Sequence, residues 1–136
     1  NDGLTDCRDD DCKDDPVCVD CTAVGQVQCG QMVSGSNAGR PNNIGQYPDC
    51  NDFDESGGEI AYEFHADTTV QLNAILSNMD ADLDIFALEG SCNADTCVET
   101  GQNELWFTAY EGRTYFIVVD GYQGAQSSFD LQVNCE

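Results

Sequence analysis

The sequence predicts an all-β domain, an antiparallel β-sandwich of jelly-roll form, with an irregular Asp/Cys-rich arm at its front. Three observations predict it. Short apolar segments recur roughly every ten residues with turn residues between them, which is the spacing of sandwiches and jelly rolls. Several segments alternate apolar and polar residues with period two, and no helical period of useful length occurs. One segment, Thr114 to Val119, is almost wholly β-branched or aromatic. Such a run suits a strand buried on both faces in the middle of a sheet.

The segments follow in order. Gln26 to Ser36 reads as a polar strand carrying Val27, Cys29 and Val33, and Asn37 to Gly45 as a loop rich in Asn and Gly. Tyr47 to Gly58 is an acidic loop around Cys50 and Phe53. Glu59 to Ala66 puts Ile60, Tyr62, Phe64 and Ala66 on one face and Glu59, Ala61, Glu63 and His65 on a polar one. Thr69 to Leu76 alternates through Val70, Leu72, Ala74 and Leu76, and Leu83 to Leu88 is a short apolar strand. Ser91 to Thr100 reads as a loop. Glu104 to Gly121 reads as two strands joined by a tight turn at Glu111-Gly112-Arg113, a hairpin on which the rest packs. Ser127 to Val133 closes the chain with Phe129, Leu131 and Val133 on one face. That makes seven or eight strands, in a domain over 21–136 behind an arm over 1–20.

The charge narrows the partners. Twenty-six acids stand against Arg8, Lys13, Arg40 and Arg113, a net charge of −22. Nucleic acid is excluded, because phosphate binding needs clustered Lys and Arg. An anionic membrane surface is disfavoured for the same reason, and no apolar run reaches the length of a membrane helix. The partners that suit such a surface are cations, and Ca²⁺ is the oxygen-seeking one expected outside cells; acidity also simply keeps a protein soluble. Nine cysteines in 136 residues point to an oxidising compartment, so the chain is expected to be secreted or surface-borne. No signal-peptide pattern is present, as expected of a mature, processed chain.

The arm is different material. Asp2, Asp6, Asp9, Asp10, Asp11, Asp14, Asp15 and Asp20 accompany Cys7, Cys12, Cys18 and Cys21, with only Leu4, Val17 and Val19 as sizeable aliphatic residues. Such a segment repels itself and has no core. Disulfides, metal or a neighbouring surface must hold it if it is ordered. Around Gly3 the acids alternate as in a calcium loop: Asp2 as a ligand, Leu4 offering its carbonyl, Asp6 direct or through water, Asp9 closing, with Asp11 a further carboxylate. The two ligand positions upstream of Asp2 are missing. The alternative is a solvated acidic tail.

Structural disulfides account best for the cysteines, since there is no second CxxC beside Cys18-Val-Asp-Cys21 and only one His for a zinc site. Cys92 with Cys97, Cys29 with Cys50, and Cys21 with Cys135 are the expected pairs. The odd number leaves one thiol among Cys7, Cys12 and Cys18 free or bonded to another chain. Two loops carry carboxylate groups: Asp52, Asp54, Glu55 and Glu59 in one, Asp80, Asp82 and Asp84 in the other. They could face water, hold a second Ca²⁺, or act as a glycosidase pair. His65 reads as a surface residue, and no nucleophile–base pair can be drawn around it. Trp106, Tyr110, Tyr122 and Tyr47 could stack on sugar rings or pack at an interface. For Trp106 core packing is the expectation. No Asn-x-Ser/Thr sequon occurs.

Gly58-Glu-Ile-Ala-Tyr-Glu-Phe64, Ala81-Asp-Leu-Asp-Ile-Phe86 and Tyr110-Glu-Gly-Arg-Thr-Tyr-Phe-Ile-Val-Val-Asp-Gly-Tyr122 occur in that order. This resembles the bacterial pre-peptidase C-terminal (PPC) domain, similar in form to collagenase collagen-binding domains, over about Cys21 to Cys135. The arm resembles the Asp-Gly-Leu-x-Asp-Cys calcium repeats akin to thrombospondin type-3 repeats. The resemblance implies a jelly-roll sandwich that is extracellular, non-catalytic and often calcium-binding. It maps the calcium ligands of family members onto Asp54, Glu55 and Glu59. PPC domains usually trail a protease, and these 136 residues hold no protease sequence themselves.

The expectation is therefore a non-catalytic structural subunit of a bacterial extracellular assembly. Its arm would reach a neighbouring copy through Ca²⁺ and a disulfide, giving a ring or filament. The rival is a glycan- or collagen-binding accessory domain of a secreted hydrolase, gripping its ligand through Trp106 and Tyr122.

Overall fold

The computed structural model describes residues 23–40, 47, 50, 55, 57–92 and 96–136. The arm lies outside the described residues, as do Cys21 and Asp54. Nine strands run through them: β1 Ala23–Gln26, β2 Met32–Ser36, β3 Glu59–His65, β4 Val70–Ser77, β5 Leu83–Glu89, β6 Cys97–Gly101, β7 Glu104–Ala109, β8 Thr114–Gly121 and β9 Ser128–Cys135. They form a five-stranded sheet, β1-β3-β8-β5-β6, and a four-stranded sheet, β2-β9-β4-β7. Every pairing is antiparallel except that of β1 with β3. The chain is the all-β sandwich its alternation predicts.

The inner faces are apolar rows, and those of β3, β4 and β9 are the predicted ones. Ile60, Tyr62 and Phe64 of β3, Ile85 and Ala87 of β5 and Tyr115, Ile117 and Val119 of β8 meet Leu72, Ala74 and Leu76 of β4, Leu105, Phe107 and Ala109 of β7 and Phe129, Leu131 and Val133 of β9. β8 sits at the centre of its sheet, buried on both faces, as its composition predicts.

The expected hairpin is not one. β7 and β8 belong to opposite sheets, and the turn with Gly112 at φ +83 carries the chain across the core. β8 has β3 on one side and β5 on the other, so it offers β7 no free edge. β7 pairs with β4 instead. The two strands meet through their inner faces: the Phe107 and Tyr115 rings lie 5.1 Å apart, and the Tyr110 N–H donates to Tyr115 Oη at 2.9 Å. The expected strand over 26–36 is broken into β1 and β2 by a turn with Gly30 at φ +81, and the expected loop over 91–100 yields β6 in its second half.

The five-stranded sheet carries a second apolar layer on its outer face. Tyr47, Ala61, Phe86, Leu88, Cys92, Cys97 and Val118 form it, with Cys50 and Phe116 packed against it. The expected polar face of β3 is thus half covered: Glu59 and Ala61 are buried, and only His65 is exposed. His65 Nδ1 lies 3.2 Å from Thr114 Oγ1.

The disulfides differ from the expected pairs. Cys50 bonds Cys97, and Cys29 bonds Cys135. Cys92 is bonded too, but not to Cys97. Pairing Cys92 with Cys97 would close a small loop. The chain instead runs extended from Cys97 as β6, and the Cys97 thiol meets Cys50 on the outer face of the sheet. Cys135 is likewise taken by Cys29, not Cys21. Disulfides place the chain in an oxidising compartment. No helix among the described residues is long and apolar enough to cross a membrane.

Asn37 braces the end of the sandwich where β3 begins and β8 ends. Fully buried, it donates Nδ2 to Gly58 O at 2.8 Å and to Ala125 O at 2.9 Å, and its Oδ1 accepts the Ser127 N–H at 2.8 Å.

Candidate functional site

Strand register builds the site. Asp120, near the end of β8, stands directly opposite Glu59 at the start of β3 and Asp84 at the start of β5. Ile60, Val119 and Ile85 point into the core, so by the two-residue period Glu59, Asp120 and Asp84 all point to the outer face. Three carboxylates therefore lie in one row across adjacent strands about 4.8 Å apart. Like charges directly opposite one another are unfavourable. Here they are also buried: Glu59 is 2% exposed, Asp84 3% and Asp120 0%. Glu55, also fully buried, comes from the segment that leads into β3.

Tyr47 closes the row. Its ring stacks on Phe86 at 3.7 Å and its hydroxyl donates to Asp120 Oδ2 at 2.7 Å. The Gly121 N–H donates to Asp120 Oδ1 at 2.8 Å. Burial pushes the Asp120 carboxyl up to about 8, and Glu59 and Asp84 add to the rise, while the Tyr47 and Gly121 hydrogen bonds work against it. Burial also raises Glu55 and Asp84, and the two carboxyls act on each other. Among the described residues Asp84 Oδ2 is buried with no N–H donor, and Glu55 acts on this carboxyl. Burial, then Asp120, holds the Tyr47 hydroxyl well above its usual range, so it stays a donor. The charged groups acting on Glu55, Asp84 and Asp120, among the described residues, are themselves acids.

Of the predicted metal residues, Asp2, Leu4, Asp6, Asp9, Asp11 and Asp54 lie outside the described residues. Glu55 and Glu59 are brought together with two further acids. Asp84 belonged to a predicted acidic loop, but Asp80 and Asp82 of that loop stay exposed. Asp120 was not singled out. Its signal is an acid near the end of an otherwise apolar central strand. The fit to a metal is chemical: a hard cation takes carboxylate oxygens, and Asp84 Oδ2, buried without a donor among the described residues, is such an oxygen. Among the described residues no three His, Cys, Asp or Glu groups already converge at metal-holding geometry.

The aromatics separate. Tyr47 is wholly buried, while Trp106 is 46% exposed, correcting its expected place in the core. Trp106 lies on β7 of the four-stranded sheet. Tyr122 follows β8 of the other sheet, its N–H bonded to Asp82 O. They do not share a strand or a sheet. An open cleft of about 470 Å³ lined by Gln26, Cys29, His65 and Val70 lies at the other end of β3 from the carboxylates.

No protein-family model and no curated protein matches the sequence. Solved structures do match in fold. The pre-peptidase C-terminal domain of collagenase from Bacillus anthracis aligns with a TM-score of 0.58 at 16% identity, covering 85% of this chain and 99% of that one. PliG, a periplasmic inhibitor of g-type lysozyme from Aeromonas hydrophila, aligns at 0.54 and 11% identity, over 83% of this chain and 100% of that one. The Yersinia pseudotuberculosis-derived mitogen aligns at 0.50 and 14% identity, over 76% and 83%. The likeness is one of fold: this chain is similar to a pre-peptidase C-terminal domain in its sandwich.

Proposed function

We propose that this chain is a non-catalytic extracellular accessory module whose outer layer around Tyr47 and Cys50 is locked onto the sandwich by Ca²⁺ and disulfides. One observation carries the reading: the buried row Glu59–Asp120–Asp84 with Glu55 facing Asp84. Buried carboxylates either hold protons or gain a counter-charge. At neutral pH and extracellular calcium a divalent ion offsets the mutual repulsion of the four at once. Glu55, Glu59, Asp84 and Asp120 would be its ligands, and the ion would supply structural cross-linking rather than chemistry. The neighbours support a module of this kind, since the same sandwich serves as a domain of a collagenase and as a lysozyme inhibitor.

The test is thermal unfolding and calorimetric titration of the full chain with Ca²⁺ and with EDTA. Chelation should lower the midpoint, and Asp84→Asn should remove most of the calcium response of the sandwich, whereas Asp6→Asn with Asp9→Asn should leave it. A midpoint indifferent to EDTA, with no heat of binding, sinks the reading.

Self-assembly is the second step of the proposal. It is favoured by the eight aspartates of 1–20 and the odd count of nine cysteines. Copies joined head to tail through the arm would form a ring or filament. Particle size should fall on adding EDTA and then reductant. A monomer under every condition removes this step and leaves the module.

A further inference from the structure

We infer that the outer face of the four-stranded sheet is a binding surface for a neutral carbohydrate chain, read by Trp106 and a row of side-chain amides. The residues follow from register. Leu72, Leu105, Leu131 and Val133 point inward, so their neighbours Gln71, Asn73, Trp106, Thr108, Gln132 and Asn134 point outward. Trp106 stands opposite Asn73, and Asn73 opposite Asn134. The indole thus lies in one line with Asn73 and Asn134 across three strands, about 10 Å from end to end; Asn73 is buried and donates Nδ2 to Glu104 and to the Leu105 carbonyl, so Gln71, Gln132 and Asn134 are the amides left at the surface. Beside that line Gln71 Nε2 donates to Thr108 Oγ1 at 2.7 Å, and Gln132 Nε2 donates to Asn134 Oδ1 at 3.1 Å.

The chemistry selects the occupant. Primary amides and hydroxyls both donate and accept, which matches sugar hydroxyls. The indole presents a flat apolar face to the C–H face of a pyranose ring. Charge discriminates further. The chain carries 26 acids, yet the outward positions of β4, β7 and β9 include only Glu104 and Asp130. Both are engaged by the protein's own donors: Asn73 Nδ2 donates to Glu104 at 2.9 Å, and Ser34 and Asn78 donate to Asp130, holding its carboxyl below the usual range. A polyanion would be repelled by the surrounding net charge of −22. A neutral polyol is repelled by nothing here. This surface lies on the sheet opposite to the carboxylate row, so it is independent of calcium binding there.

Trp106 is the chain's one tryptophan, so its fluorescence reports the site directly. The full chain is titrated with cellohexaose, chitohexaose and maltohexaose, and with polygalacturonate as an anionic control. A saturable shift of the emission with at least one neutral oligosaccharide, absent with polygalacturonate, is expected. Affinity electrophoresis in gels holding the corresponding polysaccharide then compares variants. Trp106→Ala should weaken retardation about tenfold and Trp106→Phe less, since loss of one aromatic stack is on the order of a factor of ten. Asn134→Ala should also weaken it, with the unfolding midpoints of all three near wild type. No saturable response to any neutral sugar, equal binding of polygalacturonate, full retardation of Trp106→Ala, or an emission that depends only on protein concentration would each overturn the inference, the last by showing a face between copies.

Discussion

The Tyr47 hydroxyl donates to Asp120 Oδ2 at 2.7 Å while its ring stacks on Phe86 at 3.7 Å. One side chain thus seals the outer face of the five-stranded sheet in two ways, filling apolar space and supplying a donor to a buried acid. The seal is what makes the carboxylate row unusual. Without it Glu59, Asp84 and Asp120 would be ordinary solvated acids at strand ends.

Tyr47→Phe separates the two roles. The ring remains, but among the described residues Asp120 keeps only the Gly121 N–H as donor. Leaving a buried acceptor without one of its donors costs about 1–3 kcal/mol. Because the Tyr47 bond lowers the Asp120 pKa, the variant should also hold its proton to higher pH. Tyr47→Ala loses the ring as well and should cost about 3–5 kcal/mol. Urea unfolding measures both. Equal losses for Phe and Ala would mean that the stacking contributes nothing.

The acids predict how stability follows pH, and the sign differs from the usual carboxylate case. The folded-state pKa of Asp120 is raised from 3.8 to about 8, and those of Glu55 and Asp84 are raised as well. The folded chain therefore binds these protons more tightly than the unfolded chain does. In EDTA the stability they support is fully present below 3.8 and is lost as pH rises towards about 8, at about 1.4 kcal/mol per pH unit for each titrating group. Calcium competes with those protons, so its stabilisation should grow over the same window. Midpoints measured across it should fall with pH in EDTA and fall less, or rise, in Ca²⁺. The net charge adds its own slope, so Asp120→Asn serves as the control and should flatten the EDTA curve. Parallel curves with and without Ca²⁺ would contradict the proposed ligand set.

Much of the sandwich was legible because burial of one face writes a period of two into the chain. β3, β4, β5 and β9 were found within a residue or two, and the inward rows read for β3, β4 and β9 were right. What was not legible was pairing. Thr114 to Val119 announced a central strand, but alternation cannot say which strand lies beside it, and β7 looked like its neighbour only through proximity in sequence. The same blindness hid the site. Glu59 was visible as an acid beside a strand, yet only the register of β3 and β5 on β8 brings it to Asp120 and Asp84. The disulfides failed for the same reason: short spacing favours Cys92 with Cys97, whereas the fold joins Cys97 to a residue 47 positions away. Trp106 could have been placed outside by parity, since Leu105 and Phe107 already claimed the core.

Asn37 is a long-range brace with no signature in the sequence. Its side chain satisfies Gly58 O, Ala125 O and the Ser127 N–H in a fully buried position. Asn37→Ala leaves three backbone groups to lose their partner together and should cost about 3 kcal/mol or more. Asn37→Asp keeps the shape but replaces the Nδ2 donor with an acceptor facing two carbonyls, so it should be no better at neutral pH. Gly121 packs so closely on Ala125 O that a Cβ would overlap it, and Gly121→Ala should disturb the same corner. Denaturant midpoints and amide exchange at Gly58 and Ser127 test this. Fast exchange confined to that corner is expected, while unchanged exchange in Asn37→Ala would show that the brace is dispensable.

The two disulfides should have separable effects. In a chain-entropy account, the Cys29–Cys135 bond, spanning 106 residues, contributes about 5 kcal/mol, and the Cys50–Cys97 bond, spanning 47, about 4 kcal/mol. Stability alone would rank the first above the second. Location reverses the ranking for the site, because Cys50 belongs to the layer that contains Tyr47 and Phe86, whereas Cys29 and Cys135 sit at the far end of the sandwich beside Gln71, whose N–H bonds Glu136 O. Replacing Cys50 and Cys97 by Ala should loosen the layer around Tyr47, admit water to Asp120 and Asp84, return their pKa values towards the ordinary carboxylate range and weaken the calcium response. Replacing Cys29 and Cys135 by Ala should lower the unfolding midpoint further yet leave calcium binding intact at a temperature where both variants are folded. Calorimetric titration alongside urea unfolding gives both readings, and a calcium response lost with Cys29–Cys135 but kept without Cys50–Cys97 would place the sealing of the row elsewhere.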